Sequence, residues 1–365
     1  MDQTLDRRLE NTLEKTAAFH ESAKFEPASQ PRRTFLTGLT GLGIQLCTRS
    51  GLQAQAPATF HTIDIHHHLF APDYRAAIAA IGAGGAPRWS PEQSLAEMEK
   101  SRVQTSLLSL APPGLWFGDA AQARKLARMV NDYGAKLAKD YPGRFGLFAA
   151  LPLPDPEGSL REIEYAYDTL HAEGIGLMTS YEDKWLGDAS FAPVWAELNR
   201  RKAVIYTHPN TPACCGKLND DVPSGVIELA VDTTRTMASL LFSGTAARYP
   251  DIRWLLSHGG GTTPFLLSRF TRQEEEMKER EKRLPKGLLY ELKKFYYDTA
   301  QANHPGALDA LLRIVPVSQV LFGSDYPYRV GADVNAGLAA YHFSPQDVLA
   351  IERDNTLRIL PQLKR

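Results

Sequence analysis

The chain has 365 residues, enough for one large domain or two small ones with a sizeable hydrophobic core. Apolar residues make up 43% and charged residues 23% of the sequence, which excludes disordered and fibrous proteins. The formal net charge is -1 and the sequence has no basic stripe, so neither nucleic acid nor an anionic membrane surface is indicated as a partner. Of the three cysteines, Cys214 and Cys215 are adjacent, and no disulfide framework is predicted.

Residues 1–56 differ in character from the rest and are typical of an export signal. Arg32 and Arg33 precede a Phe-Leu step, a short apolar run with several glycines follows, and a small-residue segment ends at Ala56. This order resembles a twin-arginine signal. The apolar run is too short for a membrane span, which takes about 20 residues. We therefore predict a leader over 1–56 and export to the periplasm or the medium; the alternative is a flexible leader on a cytoplasmic protein.

From residue 57 onward, short apolar runs alternate with longer helical patterns, which is typical of βα units and a parallel sheet. Helices are predicted over 120–140, 159–173 and 191–201, with Ser159 beginning the second. Eight strands are predicted, at 60–66, 104–110, 145–151, 174–180, 203–208, 253–258, 295–298 and 320–325. The sequence therefore predicts that 57–365 form an α/β fold, a (β/α)₈ TIM barrel.

Two long connections interrupt this alternation. The segment 209–225 is rich in Pro, Gly, Asn and Asp and follows the fifth strand, so we expect a lid over the mouth of the barrel. The very charged segment 269–286 is expected to lengthen a helix on the outside.

Residues that can bind a metal stand at the carboxyl ends of four predicted strands. The first strand ends in His66-His67-His68, the fifth in His208, the sixth in His258 and the eighth in Asp325. Side chains two residues apart on a strand point the same way, so His66 and His68 share a face and His67 points away from it. Barrel enzymes keep their active sites at this face. One such histidine alone is more often a core residue, but four together predict a metal centre.

Several motifs resemble the amidohydrolase superfamily. The main ones are the His-His-His ending of 63–68, Ser-His-Gly-Gly-Gly at 257–261 and Leu-Phe-Gly-Ser-Asp-Tyr-Pro at 321–327. Further matches at 90–92, 232–235 and 297–300 resemble its decarboxylase branch, typified by 2-amino-3-carboxymuconate-6-semialdehyde decarboxylase. Within that branch these motifs are most similar to those of the 6-methylsalicylate decarboxylases. The similarity extends over nearly all of 60–364.

The resemblance implies one divalent metal ion per chain, with four ligands: His66, His68, His208 and Asp325. Dinuclear relatives bridge two ions with a Lys or Glu at the end of strand four, whereas residues 177–180 read Leu-Met-Thr-Ser. Zn²⁺ suits the imidazole-rich ligands best, and Mn²⁺ occurs in related decarboxylases. Related decarboxylases are often dimers, so a homodimer is the expected assembly.

The implied reaction is the non-oxidative decarboxylation of a small aromatic hydroxy acid of the salicylate type. Asp325 would carry a proton to the ring carbon, and His258, unligated in this branch, would be its acid–base partner. Arg235 is a candidate for binding the substrate carboxylate, or else forms an ordinary helix salt bridge. Phe70 and Trp116 are candidates for a wall against the ring, or else simply pack in their loops.

The alternative reaction is hydrolysis. A bound metal ion lowers the pKa of its water to about 7, and Asp325 would then act as general base on a lactone or an amide. The ligands permit both reactions, and only the flanking motifs favour decarboxylation.

Overall fold

The structure is a computed structural model that describes residues 61–82, 86–212, 214–215 and 221–364. Its central sheet has eight parallel strands that pair in chain order, and this confirms the predicted TIM barrel. The strands are β1 Thr62–His68, β2 Val103–Ser109, β3 Phe145–Ala150, β4 Gly174–Met178, β5 Val204–His208, β6 Arg253–Leu256, β7 Tyr296–Asp298 and β8 Val320–Leu321. A two-stranded hairpin, Ser180–Tyr181 with Lys184–Trp185, follows β4.

Backbone hydrogen bonds between β1 and the segment after β8 close the barrel. The amide of Ile65 donates to Phe322 O at 3.0 Å, and the amide of Asp325 donates to His66 O at 2.8 Å. The amide of His68 donates to Tyr326 O at 2.8 Å. The last polar strand end, Asp325, is thereby fixed directly beside the histidines of the first.

Helices surround the sheet. They are α1 Pro72–Ala80, α2 Pro91–Ser101, α3 Ala120–Asp140, α4 Pro156–Glu164, α5 Ala192–Arg200, α6 Glu228–Phe242, α7 Thr245–Arg248, α8 Thr263–Glu276, α9 Arg280–Arg283, α10 Leu288–Lys294, α11 Pro305–Leu312, α12 Gly331–Tyr341, α13 Pro345–Leu349 and α14 Asn355–Ile359. Among these described helices, none is long and apolar enough to cross a membrane.

Capping residues set several helix starts. Ser90 accepts from the amide of Gln93, and Asp119 accepts from the amide of Gln122, so α2 and α3 begin just after them. The predicted start of a helix at Ser159 is wrong. Asp155 caps α4 through the amide of Gly158, and Pro156 occupies the first turn, where its missing N–H costs nothing. The helix then widens into a π turn, Tyr165–Thr169.

The core forms two layers. The larger layer lies between the sheet and the helices, and the second joins apolar side chains of six strands with Leu357, Ile359 and Leu360 near the carboxyl terminus. Gly323 shows how tightly the strand ends pack, because a Cβ there would lie 2.8 Å from the Cβ of His66 and 3.0 Å from that of Asp298. Only glycine fits between these two side chains.

Of the two long connections, the charged segment is described in full and the predicted lid in part. The charged segment 269–286 contains the end of α8 and all of α9, outside the sheet. The leader over 1–56 lies outside the described residues, as do residue 213 and residues 216–220 of the predicted lid.

Candidate metal centre

Two buried imidazoles of β1 meet edge to face at the carboxyl end of the barrel. His66 Nδ1 donates to Asp298 Oδ2 at 2.7 Å, and His68 Nδ1 lies 3.3 Å from Ser109 O. With Nδ1 of each ring engaged, Nε2 is the nitrogen left to bind an ion, and the two Nε2 atoms lie 3.1 Å apart. Ligand atoms about 2.1 Å from one ion at angles of 90–109° are roughly 3.0–3.4 Å apart, so this spacing is compatible with two ligands of one ion.

His208 and Asp325 complete the cluster. His208 Nδ1 donates to Pro209 O at 3.0 Å, and its Nε2 lies 3.8 Å from Asp325 Oδ1. The same carboxylate oxygen lies 3.1 Å from Nε2 of both His66 and His68. The four predicted ligands thus come together, each histidine with Nε2 towards the carboxylate.

Asp298, at the end of β7, is a functional candidate that sequence reasoning did not single out. Its Oδ2 accepts from His66, while its Oδ1 accepts from the backbone amides of His258 and Ala300 at 2.8 and 3.0 Å. A carboxylate behind a ligating imidazole fixes the tautomer and makes the other nitrogen a better ligand. The Tyr-Asp-Thr-Ala motif at 297–300 could have pointed to Asp298. It places a carboxylate at a buried strand end, where the carboxylate needs hydrogen-bond partners.

The pKa values of the clustered side chains differ strongly from their usual values. Burial lowers the pKa of His66, but Asp298 and Asp325 outweigh it and raise the value to about 10. Burial lowers the pKa of His68 to about 4 and that of His208 to about 3. Burial raises the pKa of Asp325, yet the charge on His66 and the nearby imidazoles of His208 and His258 hold it well below its usual range. Two imidazoles are therefore neutral and Asp325 is ionised, as metal ligands must be.

His67 occupies the opposite side of β1. Its Nδ1 lies 3.1 Å from Asp64 Oδ2, its Nε2 lies 2.9 Å from Ser94 Oγ on α2, and its ring stacks on Tyr326. The predicted outward packing against a helix is confirmed. Asp64 also accepts from the amide and hydroxyl of Ser324 at 2.9 and 2.6 Å, so this network ties β1 to the end of β8.

His258 lies on a 3₁₀ turn just after β6. Its Nε2 is 3.5 Å from Asp325 Oδ2, and neither ring nitrogen has a hydrogen-bond partner among the described residues. His66, His208, His258 and Asp325 offer ligand atoms that all lie within 4.8 Å of one another. His258 is therefore close enough to be either a fifth ligand or a free acid–base group.

Three residues of this cluster have a left-handed backbone, with φ of 53° at His258, 51° at Gln301 and 66° at Asp325. Such conformations cost about 1–3 kcal/mol outside glycine and collect at functional sites. Gln301, which sequence reasoning missed, donates its amide to Asp325 Oδ2. This contact and the bond from the amide of Asp325 to His66 hold the carboxylate in place.

The end of β4 has hydroxyl groups in place of a second metal's ligand. Thr179 Oγ1 and Ser180 Oγ donate to the buried Asp232 at 2.5 and 3.0 Å. Trp185 donates to the other carboxylate oxygen at 2.7 Å. Asp232 thereby ties the strand end to α6, and its oxygens are already engaged.

Two cavities reach the cluster. The larger, about 890 Å³, contains Asp325 and His208 in its wall, together with the charged residues Glu182 and Arg329. The smaller, about 470 Å³, reaches His258. Gln301 lines both, and so do Gly225, Val226 and Leu229. Five described residues of the predicted lid lie in the wall of the larger cavity: Asn210, Thr211, Pro212, Pro223 and Gly225.

The three candidate substrate-binding residues are not in these cavity walls. Arg235 donates to Glu228 at 3.0 Å, the helix salt bridge left open as its alternative role. Phe70 is fully buried with its ring edge against Tyr328, which does line the cavity. Trp116 donates to Glu182 at 3.0 Å. Phe70 and Trp116 thus support wall residues, namely Tyr328 and Glu182.

Comparison with known proteins now identifies the family. The chain matches the amidohydrolase family over residues 63–362. Decarboxylase yanB of Aspergillus niger is 35% identical over 325 residues, covering 83% of this chain and 88% of that protein. The 6-methylsalicylic acid decarboxylase of Penicillium expansum is 33% identical over 313 residues, covering 83% and 97%.

A solved structure gives the same architecture. The dihydroxybenzoic acid decarboxylase of Polaromonas sp. JS666, with bound manganese and 2-nitroresorcinol, superposes with a TM-score of 0.70 at 21% identity, covering 84% of this chain and 98% of that one. The similarity to two decarboxylases confirms the predicted branch. The chain belongs to the amidohydrolase family.

Proposed function

We propose that this protein is a metal-dependent carboxy-lyase that decarboxylates a small aromatic hydroxy acid of the salicylate type. The observation that carries the proposal is the convergence of three Nε2 atoms on one carboxylate at the mouth of a barrel. The similarity to a 6-methylsalicylic acid decarboxylase and to yanB supports the reaction and the substrate class.

The proposed ligands are His66, His68, His208 and Asp325. Each of the three imidazoles has its Nδ1 facing a carboxylate or a carbonyl, which leaves Nε2 as the ligand atom. An ion held by these residues would supply a positive centre for the carboxylate and the neighbouring hydroxyl of the acid. Imidazole ligands favour Zn²⁺, while the manganese in the Polaromonas decarboxylase makes Mn²⁺ the second candidate.

The reaction consumes one proton: the carboxylate leaves its ring carbon as carbon dioxide, and a proton takes its place. Asp325 lies in the wall of the larger cavity, from which it would deliver the proton to that carbon. His258 lies 3.5 Å from the other oxygen of Asp325 and has no other partner among the described residues, so it is placed to return a proton to the carboxylate. Gln301 holds Asp325 in the orientation that this transfer needs.

The cavity fits a monocarboxylate. Its described charged groups are Glu182, Asp325 and Arg329, so the wall presents one guanidinium apart from the metal-binding cluster. Trp116 fixes the carboxylate of Glu182 by a hydrogen bond, and this carboxylate disfavours a second carboxylate of the substrate beside it.

Product analysis tests the proposal. Protein loaded with Zn²⁺ or with Mn²⁺ is incubated with a panel of salicylate-type acids and with a panel of aryl lactones and amides. We expect release of carbon dioxide and the matching phenol from the acids. Ring opening of a lactone without carbon dioxide release from any acid would replace this function with the hydrolase.

Two further parts of the proposal concern the whole protein. We propose export through the twin-arginine segment, tested by replacing Arg32 and Arg33 with lysines and following the protein in cell fractions. We also propose a homodimer, tested by light scattering of the metal-loaded protein. A lysine pair that leaves export unchanged, or a monomer at working concentration, would contradict them.

A further inference from the structure

The smaller cavity has no part in the chemistry above, although it reaches the same cluster. One end is formed by His258 and Gln301, and both of these side chains approach Asp325. From there the cavity extends between α6, α8 and α11. Since it shares Gly225, Val226 and Leu229 with the larger cavity, the two spaces adjoin each other along this segment.

The two cavities differ in charge. The larger contains Glu182, Asp325 and Arg329, whereas the described wall of the smaller contains no carboxylate, lysine or arginine. Most of that wall is alanine, glycine, valine, leucine, proline and phenylalanine. Such a wall stabilises apolar groups and offers no opposite charge from a carboxylate, lysine or arginine to an ionised one.

Glycines keep the inner part of this cavity open. Gly259 and Gly261 follow His258 with φ of 61° and 64°, a backbone that other residues rarely adopt. A Cβ on Gly261 would lie 2.0 Å from the backbone oxygen of Ala230. The turn therefore passes His258 without placing side chains over it.

The outer rim of the cavity is unusually apolar. Phe265 is 91% exposed and Val226 is 68% exposed, and both lie in its wall. Exposed apolar side chains around a cavity are typical of ligand-binding grooves and of protein interfaces, and here they continue the apolar wall of the cavity.

We propose that the smaller cavity binds an aliphatic substituent of the substrate, one longer than a methyl group and attached next to the carboxylate. This proposal rests on the proposed function and names its substrate class more closely: an alkyl-substituted aromatic hydroxy acid. With the carboxylate at the metal centre, a group on the adjacent ring carbon would be within reach of His258 and Gln301, which line this cavity. A volume of about 470 Å³ holds a chain of several carbons.

Chain length is the variable that tests this proposal. We would measure kcat/KM for 6-methyl-, 6-propyl- and 6-pentylsalicylate, and binding of the matching 3-alkylphenols by calorimetry. Each buried methylene contributes up to about fourfold in binding. We expect kcat/KM and phenol affinity to rise at least tenfold from methyl to pentyl.

Two wall positions allow the cavity to be filled without disturbing the core. Ala307 and Ala310 lie on an exposed face of α11 and line the cavity. Ala307→Phe and Ala310→Phe, alone and together, should remove the gain for the pentyl compounds and leave the methyl compounds unchanged. Ala340→Phe is the matched control, because Ala340 is exposed on α12 and is not among the residues lining either cavity.

The outcomes separate this proposal from the function on which it rests. Equal kcat/KM and affinity for all chain lengths would overturn it while decarboxylation stands. Wall variants that slow methyl and pentyl substrates equally would also overturn it and would point to release of carbon dioxide through the cavity. If no acid is decarboxylated but phenol affinity rises with chain length, the apolar site stands and the proposed function fails.

Discussion

The two sides of β1 have the same residue type but opposite environments. On the inner side, His66 and His68 each direct Nε2 towards Asp325, next to the larger cavity. On the outer side, both nitrogens of His67 already have partners, Asp64 and Ser94. All three rings are buried. Burial alone therefore does not indicate that a histidine is a metal ligand. The indication is a ring nitrogen that faces other potential ligand atoms.

The largest expected effect distinguishes the two sides directly. His66→Ala should abolish stoichiometric metal binding and activity, because it removes one ligand and leaves Asp298 as an uncompensated buried carboxylate. Metal content by mass spectrometry of the purified variant checks this. His67→Ala is the matched control on the same strand and should retain its metal. Full occupancy in the His66 variant would contradict the assignment.

The next effect separates ligand from catalyst. His258→Ala should keep the metal and the fold while losing about 10²–10⁴-fold in turnover, the usual contribution of a general acid–base group. Metal analysis is done alongside turnover of a salicylate-type acid. Loss of the metal would make His258 a fifth ligand, as its place in the cluster permits. Unchanged turnover would leave proton transfer to Asp325 alone.

A smaller effect on metal affinity is expected from changing Asp298, which accepts a hydrogen bond from His66. Asp298→Asn keeps acceptors for the amides of His258 and Ala300 but removes the charge that faces His66 Nδ1. Partners of this kind typically contribute about 10–100-fold to metal affinity or activity. Competition with a chromophoric chelator measures the affinity. Unchanged affinity would show that Asp298 only holds the backbone.

Metal binding should also release a proton from the inner side. The pKa of His66 in the metal-free protein is raised to about 10, so the ring is protonated at pH 8 and must lose that proton to become a ligand. Affinity should therefore increase with pH and level off above about pH 10. Calorimetry at pH 8 in buffers of different ionisation enthalpy should report about one released proton. Release of no proton would contradict the role given to His66.

The smallest effect on metal binding is expected from changing His67, on the outer side of β1. His67→Ala leaves Ser94 without its partner and Asp64 with one bond fewer, which should lower the free energy of unfolding by about 1–3 kcal/mol. Denaturant titration of the metal-loaded variant measures this. A loss of metal at unchanged stability would mean that the two sides of β1 do not differ as described.

Much of this centre follows from sequence because parallel strands bring their ends to one face. The order of the strands, the facing pair His66 and His68, and the outward His67 depend only on alternation and on the barrel. The contact between Asp64 and His67 does not follow from alternation, which places residues three apart on opposite sides of a strand. The pairing of β1 with β2 shifts register between Asp64 and His67, so its carboxylate meets the ring of His67.

Other features depend on contacts between distant segments. Asp298 and His66 are 232 residues apart in the chain, and the amide of Gln301 reaches Asp325 from the loop after β7. Arg235 was a substrate candidate because its motif resembles one of the family, but Glu228, seven residues earlier on the same face of α6, pairs with it. A motif gives the residue type, whereas its partner depends on packing.

Anomalous diffraction from crystals of the metal-loaded protein tests the central claim most directly. We predict one peak per chain, about 2.0–2.2 Å from Nε2 of His66, His68 and His208 and from a carboxylate oxygen of Asp325, and none beside His67. A peak that misses any of these four ligands, or a second peak at the end of β4, would contradict a mononuclear centre on the inner side of β1.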